Sequence, residues 1–264
     1  MSTPRRPFRS RPVSRRDVLF SGGGLAVGAA AVGAGWAASS SSAAGSPDPS
    51  AASEPSVIPP DDDLMREHGV LKRVLLCYRE MIAQAQSGGK LNAAHAQDSA
   101  LIIHDYIEGF HEGLEEGYVF PRLQSGQAGS TEDTLILGST VTTLVVQHAR
   151  GRVITQFILA HATAGQLASP GMTTRLAAAM QAFDRMYEPH EAWEDTIVYP
   201  AFRKVVPPAE LTALGGHFAD LERQQFHADE FTAMVNRVAE IEQELGIDNL
   251  ENFTPKVTAY EPSV

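Results

Sequence analysis

The sequence predicts an all-α protein: an antiparallel up-down-up-down four-helix bundle with an additional helical segment at its C-terminal end. Three observations carry that expectation. Beyond residue 60, apolar residues recur at spacings of three and four over long runs, with few of the alternations that mark strands. Four such runs are separated by short breaks containing Gly, Ser or Pro, which favours antiparallel neighbours. Every run also places a histidine in its apolar seam, and His68, His111, His148 and His190 recur at corresponding places.

The first run, about 62–86, follows Pro59-Pro60 and starts on Asp61–Asp63, acids that suit a helix N-terminus. Its seam reads Leu64, His68, Leu71, Leu75, Tyr78 and Ile82, and Ser87-Gly88-Gly89 ends it. The second, about 92–122, puts His104, Ile107, His111, Leu114 and Tyr118 on one stripe and closes near Pro121. The third, about 132–166, presents Val141, Leu144, Val145, His148, Thr155 and Ile158 before the break at Ser169-Pro170-Gly171. The fourth, about 172–203, presents Leu176, Met180, Phe183, Tyr187, His190, Glu194 and Ile197, with Pro189 expected to kink it. After Pro207-Pro208, one or two helical segments run to a stop at Gly246. The organisation expected is a leader and linker over 1–60, a bundle with its extension over 61–248, and an irregular tail over 249–264.

Composition excludes several functions. The first sixty residues hold six Arg against three acids, a net of +3; with −11 over the whole chain, the remainder carries −14. A body that acidic argues against a nucleic-acid partner, because phosphate binding needs a basic face. The single cysteine, Cys77, rules out an intrachain disulfide and thiolate-based zinc or iron–sulfur sites. It sits in the apolar run VLLCYREM and reads as a buried, unreactive thiol.

The N-terminal stretch resembles a twin-arginine export signal. Arg15-Arg16 stand in SRRDVLF, with Val18-Leu19 where the usual pattern has Phe-Leu, and the Gly/Ala-rich run SGGGLAVGAAAVGAGWA follows. That resemblance implies export of an already folded protein to the periplasm, cell envelope or outside. An uncleaved signal is the one route to the membrane, since Val18 to Ala38 is long enough to span. A disordered basic tail is the alternative. Residues 39–60 read as a Ser/Ala/Pro-rich linker.

The chemistry lies in a stretch that occurs twice, HEGLEEGYVFP at 111–121 and HEAWEDTIVYP at 190–200. Each keeps a His, a Glu four positions later, an aromatic at the tenth place and a Pro at the eleventh. Residues i and i+4 share a helix face, so His111 with Glu115 and His190 with Glu194 form two-toothed ligand sets. His68 precedes the first copy by 43 residues and His148 the second by 42. Burying two carboxylates without cations costs several kcal/mol per ion, and a metal pair supplies the missing charge. Imidazole and carboxylate without thiolate suit iron, manganese or zinc, and a bundle core with shared carboxylates is the di-iron or di-manganese pattern; four His and two Glu suit two iron ions. A ferritin-like site is the rival. Glu108-x-x-His111 matches its E-x-x-H pattern, but Tyr187 stands at the equivalent place before His190.

Over roughly residues 60–205 the pattern resembles the hemerythrin-like, or HHE cation-binding, family. The resemblance implies the ligand set His68, His111, Glu115, His148, His190 and Glu194. The oxygen-carrying hemerythrins use an additional His and replace one Glu with Asp. Glu in both repeats here is closer to the bacterial branch, which includes nitric-oxide and iron-stress proteins.

Other polar and aromatic positions carry weaker expectations. His104 is placed behind the ligands, on an access path or on a hydrated rim, and Tyr118 and Tyr187 in the core or near a bound ligand. Leu114 and Trp193, equivalent in the two repeats, are expected to form the apolar wall of a small-molecule pocket. Glu112 and Glu191 are expected about a quarter-turn off the ligand face, solvated or salt-bridged, and Glu116 is also expected off that face. His95, His161, His217 and His227 read as surface or structural. Together these imply a non-haem di-iron protein that binds or reacts with O2, NO or peroxide, using an external reductant if it turns over. An extracytoplasmic iron-storage or delivery protein is the alternative, and a bundle with vestigial ligands the third reading.

Overall fold

The computed structural model describes residues 57–124, 131–227 and 229–255, without the side chains of 131–136. Among the described residues the protein is all-helical and contains no strand. The leader and linker expected over 1–60 lie outside them apart from the last few residues, as does 256–264. Among the described residues no helix is long and apolar enough to cross a membrane.

Helix α1 spans Pro60–Gln86, with Pro at its first turn, where the missing N–H costs nothing. The acids of that turn do more than oppose the helix dipole. Asp61 is buried against Arg203 at 2.5 Å, and Asp62 meets the same guanidinium at 2.6 Å. Helix α2 covers 93–124, capped by the Asn92 side chain, which accepts from the Ala94 N–H at 2.9 Å. It runs past Pro121, where the sequence suggested a stop. Helix α3 is Thr131–His161, followed by a single turn at Ala164–Leu167. Helix α4 covers 172–205 and carries Pro189 within the regular stretch Met172–Trp193.

Helix α1 packs against α2 and α4, and α3 packs against the same two, so the seams of all four meet. The extension forms two helices, α5 (Pro208–Phe226) and α6 (Glu230–Leu245). The second is capped by Asp229 and stopped by Gly246, whose φ of 73° suits glycine. Helix α6 lies on α1 and α2, fixed by the paired contacts of Arg73 with Glu242 at 2.9 and 2.5 Å. Leu250–Phe253 forms a 3₁₀ turn where an irregular tail was expected.

Helices α2 and α4 are not uniform. Wide, π-type turns occupy Ile103–His111 and Glu115–Val119 in α2, and Glu194–Val198 in α4. In both repeats the carbonyl of the second-repeat-position glutamate, Glu115 or Glu194, accepts from the N–H five residues on, at Phe120 or Tyr199. The next residue is Pro121 or Pro200, which has no N–H for the carbonyl four residues back and would press its ring against it. Widening the turn just before the proline relieves both problems. The aromatic-Pro ending of each repeat is therefore a backbone signal.

Candidate metal centre

The six predicted ligands arrive from four helices: His68 from α1, His111 and Glu115 from α2, His148 from α3, and His190 and Glu194 from α4. All are at most 3 % exposed, and they fall into two groups that could each hold a metal ion: His68, His111 and Glu115, and His148, His190 and Glu194. The Nε2 atoms face inward. His68 Nε2 lies 3.4 Å from Glu194 Oε2, and His111 Nε2 3.6 Å from Glu115 Oε2. His148 Nε2 is 3.4 Å from Glu115 Oε2, and His190 Nε2 is 3.2 Å from Glu194 Oε1. Each carboxylate thus touches histidines of both groups.

The outward Nδ1 atoms are all engaged. His68 Nδ1 donates to Asp195 Oδ1 at 2.8 Å, and His111 Nδ1 to Glu67 Oε2 at 2.7 Å. His148 Nδ1 donates to Glu116 Oε1 at 3.1 Å, and His190 Nδ1 to Gln147 Oε1 at 2.9 Å. An acceptor at Nδ1 puts the ring proton there and leaves the Nε2 lone pair free to bind a cation. These partners follow the repeat. Glu67 and Gln147 each precede a single His, and Glu116 and Asp195 each follow a ligand Glu. The sequence carries a signal for all four: Glu116 and Asp195 share the sixth place of the two repeats, and Glu67 and Gln147 stand one residue before His68 and His148.

Two further pairs repeat in the same way. Glu112 is buried, paired with Arg152 at 2.5 Å and bonded by the Tyr187 hydroxyl at 2.6 Å. Glu191 is buried and paired with Lys72. Lys72 is four residues after His68 and Arg152 four after His148, so each base shares a helix face with its histidine. The salt-bridged expectation for these two acids holds and the solvated one fails, because each is covered by the neighbouring helix that supplies its base. Arg152 also reaches Glu116 at 2.9 Å. A third group able to hold an ion, Glu112, Glu116 and His148, thus already has a guanidinium across its carboxylates.

The electrostatics call for positive charge at the centre. Burial, with the Glu194 carboxylate beside it, pushes Glu115 well above the usual range. Burial acts the same way on Glu194, but His190 and His68 outweigh it and hold it well below. His68 is held well above its ordinary value because Asp195 and Glu194 overcome its burial, whereas burial and the neighbouring His68 push His111 well below. Two facts test the fit of a cation. His148 Nε2 and His190 Nε2 face each other at 3.2 Å, two lone pairs in contact once both Nδ1 atoms carry the protons. Glu115 Oε2 and both carboxylate oxygens of Glu194 are buried without a hydrogen-bond donor. Orphaned buried acceptors of this kind are expensive, and divalent cations satisfy all of them. The donor set fits.

Proteins of Mycobacterium tuberculosis, strains H37Rv and CDC 1551, and of Mycobacterium bovis are 45 % identical to this chain over 194 residues. The match covers 74 % of this chain and 73 % of each relative, all three of which are described as uncharacterized. The chain belongs to their family. No family model and no solved structure matches it.

The remaining predicted positions divide. Tyr187 is buried, with its ring 4.9 Å from His190 and its hydroxyl on Glu112. Tyr118 is only partly buried and meets His217 at 2.9 Å, away from the centre, and His104 bonds its neighbour Asp105 with its side chain 41 % exposed. Both lie seven residues from His111, a spacing that keeps one face only at 3.6 residues per turn; the wide turns between rotate them off it. For the same reason Val198 is buried in place of Ile197. On α3, Val145 is likewise exposed while Leu144 is buried. His95 is structural, bonded to Asn92 and Glu244.

The expected apolar wall is not formed by both repeat positions. Leu114 is buried in the core, whereas Trp193 is 50 % exposed. Trp193 stands on a cleft of about 230 Å³ between α3 and α4, with Thr140, Thr143 and Pro189 around it and Gln147 and His190 among its lining. Another surface cleft, of about 250 Å³ between α1 and α4, includes Lys72 but none of the six predicted ligands. Tyr199, which sequence reasoning noted only as the aromatic of the repeat, stacks on His68 at 5.6 Å and donates to Glu115 Oε1 at 2.7 Å. Its counterpart Phe120 stacks on His148 at 5.8 Å and offers no hydroxyl.

Proposed function

We propose that this chain is a hemerythrin-like non-haem di-iron protein, its four long helices forming an up-down-up-down bundle, exported through its twin-arginine-type leader. The observation that carries the reading is the facing His148 and His190 Nε2 atoms beside three buried carboxylate oxygens with no donor. His68, His111 and Glu115 would hold one iron; His148, His190 and Glu194 would hold the other, with both carboxylates shared. When bound, the iron pair would supply electrons for a small ligand such as O2, NO or peroxide, replenished by an external reductant.

The chain's own residues prepare that chemistry. Asp195, Glu67, Glu116 and Gln147 fix the imidazole rings and their tautomers, so the Nε2 donors stay aimed inward. Tyr199 holds Glu115 by one oxygen and leaves the other for a cation. The Phe120 and Tyr199 rings stack on His148 and His68 and keep bulk water from those faces. Anaerobic loading with Fe(II), metal analysis and visible spectra on adding O2, NO or peroxide test the reading. About two irons per chain are expected, as in di-iron bundles. His111→Ala and His190→Ala should each abolish the ligand-dependent spectrum while leaving helicity near that of the parent. Full spectra in both variants would overturn the assignment.

A further inference from the structure

The two half-sites are built from one repeat, yet they are not equivalent. Behind His68 and His111 stand two carboxylates, Asp195 and Glu67, neither of which is ion-paired to a Lys or Arg among the described residues. Behind His148 stands Glu116, whose same oxygen is also bonded by Arg152 at 2.9 Å. Behind His190 stands a neutral amide, Gln147. A carboxylate accepting from Nδ1 raises the basicity of the ring and its hold on a metal, and a neutral amide, or a carboxylate oxygen already shared with a guanidinium, does so less. His190 is also the ligand reached by the α3–α4 cleft, whose hydroxyl-bearing wall includes Thr140 and Thr143 and whose lining includes Gln147. Weak backing and solvent access therefore coincide on one side of the centre.

We infer that the centre consists of one retentive and one exchangeable divalent-cation site. The ion held by His68, His111 and Glu115 is the retentive one. The ion held by His148, His190 and Glu194 enters and leaves past Gln147 through the α3–α4 cleft. This rests on the metal-binding reading above and adds an order of loading and release to it.

Zn(II) serves as the probe, being redox-inert and bound by the same donor types. The full chain is loaded with Zn(II), and its loss to a chromophoric chelator is followed in time, alongside equilibrium competition. Two phases are expected, the faster absent in His190→Ala, which keeps the slow ion. Gln147→Glu, nearly isosteric, should tighten the exchangeable site by about 10–100-fold, and Glu67→Gln should weaken the retentive one by a similar factor, the range found when outer partners of metal ligands are changed. Combining the two should reverse the order of release. Two ions leaving at one rate, or a Gln147→Glu protein with parental affinities and rates, would overturn the inference while leaving two-metal binding intact. A folded chain that takes up no ion would overturn both.

Discussion

Gly151→Ala isolates a contact on which the geometry around His190 depends. Gly151 lies on α3, and a β-carbon there would sit on the Tyr187 ring, 2.8 Å from Cε2 and closer still to the hydroxyl. The ring has little room to retreat. It stacks on Phe183 at 4.2 Å, lies against His190, and is anchored by its hydrogen bond to Glu112 at 2.6 Å. Two opposing effects set the sign. Alanine improves helix propensity over glycine by about 1 kcal/mol. Overpacking a well-filled core costs about 1–3 kcal/mol, and displacing the hydroxyl from a buried carboxylate costs about 1.5–3 kcal/mol more. The net should be a destabilisation of about 1.5–5 kcal/mol, or about 3–20 °C in Tm at the sensitivity usual for a domain of this size. Thermal and urea unfolding followed by circular dichroism measure it. Tyr187→Phe removes the closest atom, so the alanine should cost less in that background, with a coupling of about 1 kcal/mol or more. If Gly151→Ala is neutral or stabilising, propensity has won and the close packing of α3 on Tyr187 is not as described.

Two further outcomes follow from buried titratable groups. Burial, with Glu112 nearby, pushes Glu108 up to about 7 from its ordinary 4.5, so the folded metal-free chain holds this proton more tightly than the unfolded one. Stability from this group is present below about 4.5 and is lost as pH rises to 7. Glu108→Gln should therefore gain on the parent by on the order of 2–3 kcal/mol between pH 5 and pH 8 in urea midpoints, and a pH-independent difference would refute it. Cys77 is wholly buried, and that burial, with Glu242 adding to it, pushes its thiol up to about 12. A disulfide reagent such as DTNB should leave it untouched in the native protein at pH 8 and titrate one thiol per chain once the chain is unfolded; rapid native labelling would show that α1 opens.

What the sequence made legible, and what it hid, has one physical cause. Helical periodicity locates residues accurately within a regular stretch, and so His68, His111, Glu115, His148, His190 and Glu194 could be read and do converge. The same periodicity carried across a wide turn fails, as it did for His104, Tyr118 and Ile197. Burial of Glu112 and Glu191 was hidden because it depends on bases four residues beyond His148 and His68, on other helices. Leu114 and Trp193 parted for another reason: the extension covers only one side. Phe226 and Phe218 of α5 reach Phe110 and Tyr118 on α2, four residues either side of Leu114, while the α3–α4 cleft beside Trp193 stays open. Four differences between the two copies lie around His148 and His190. Gln147 replaces the acid, Phe120 replaces the hydroxyl-bearing ring, Arg152 shares the remaining carboxylate, and the cleft opens at His190. These four differences all surround His148 and His190, so the two-phase release of Zn(II) and the Gln147→Glu variant probe the half of the centre where the repeats differ.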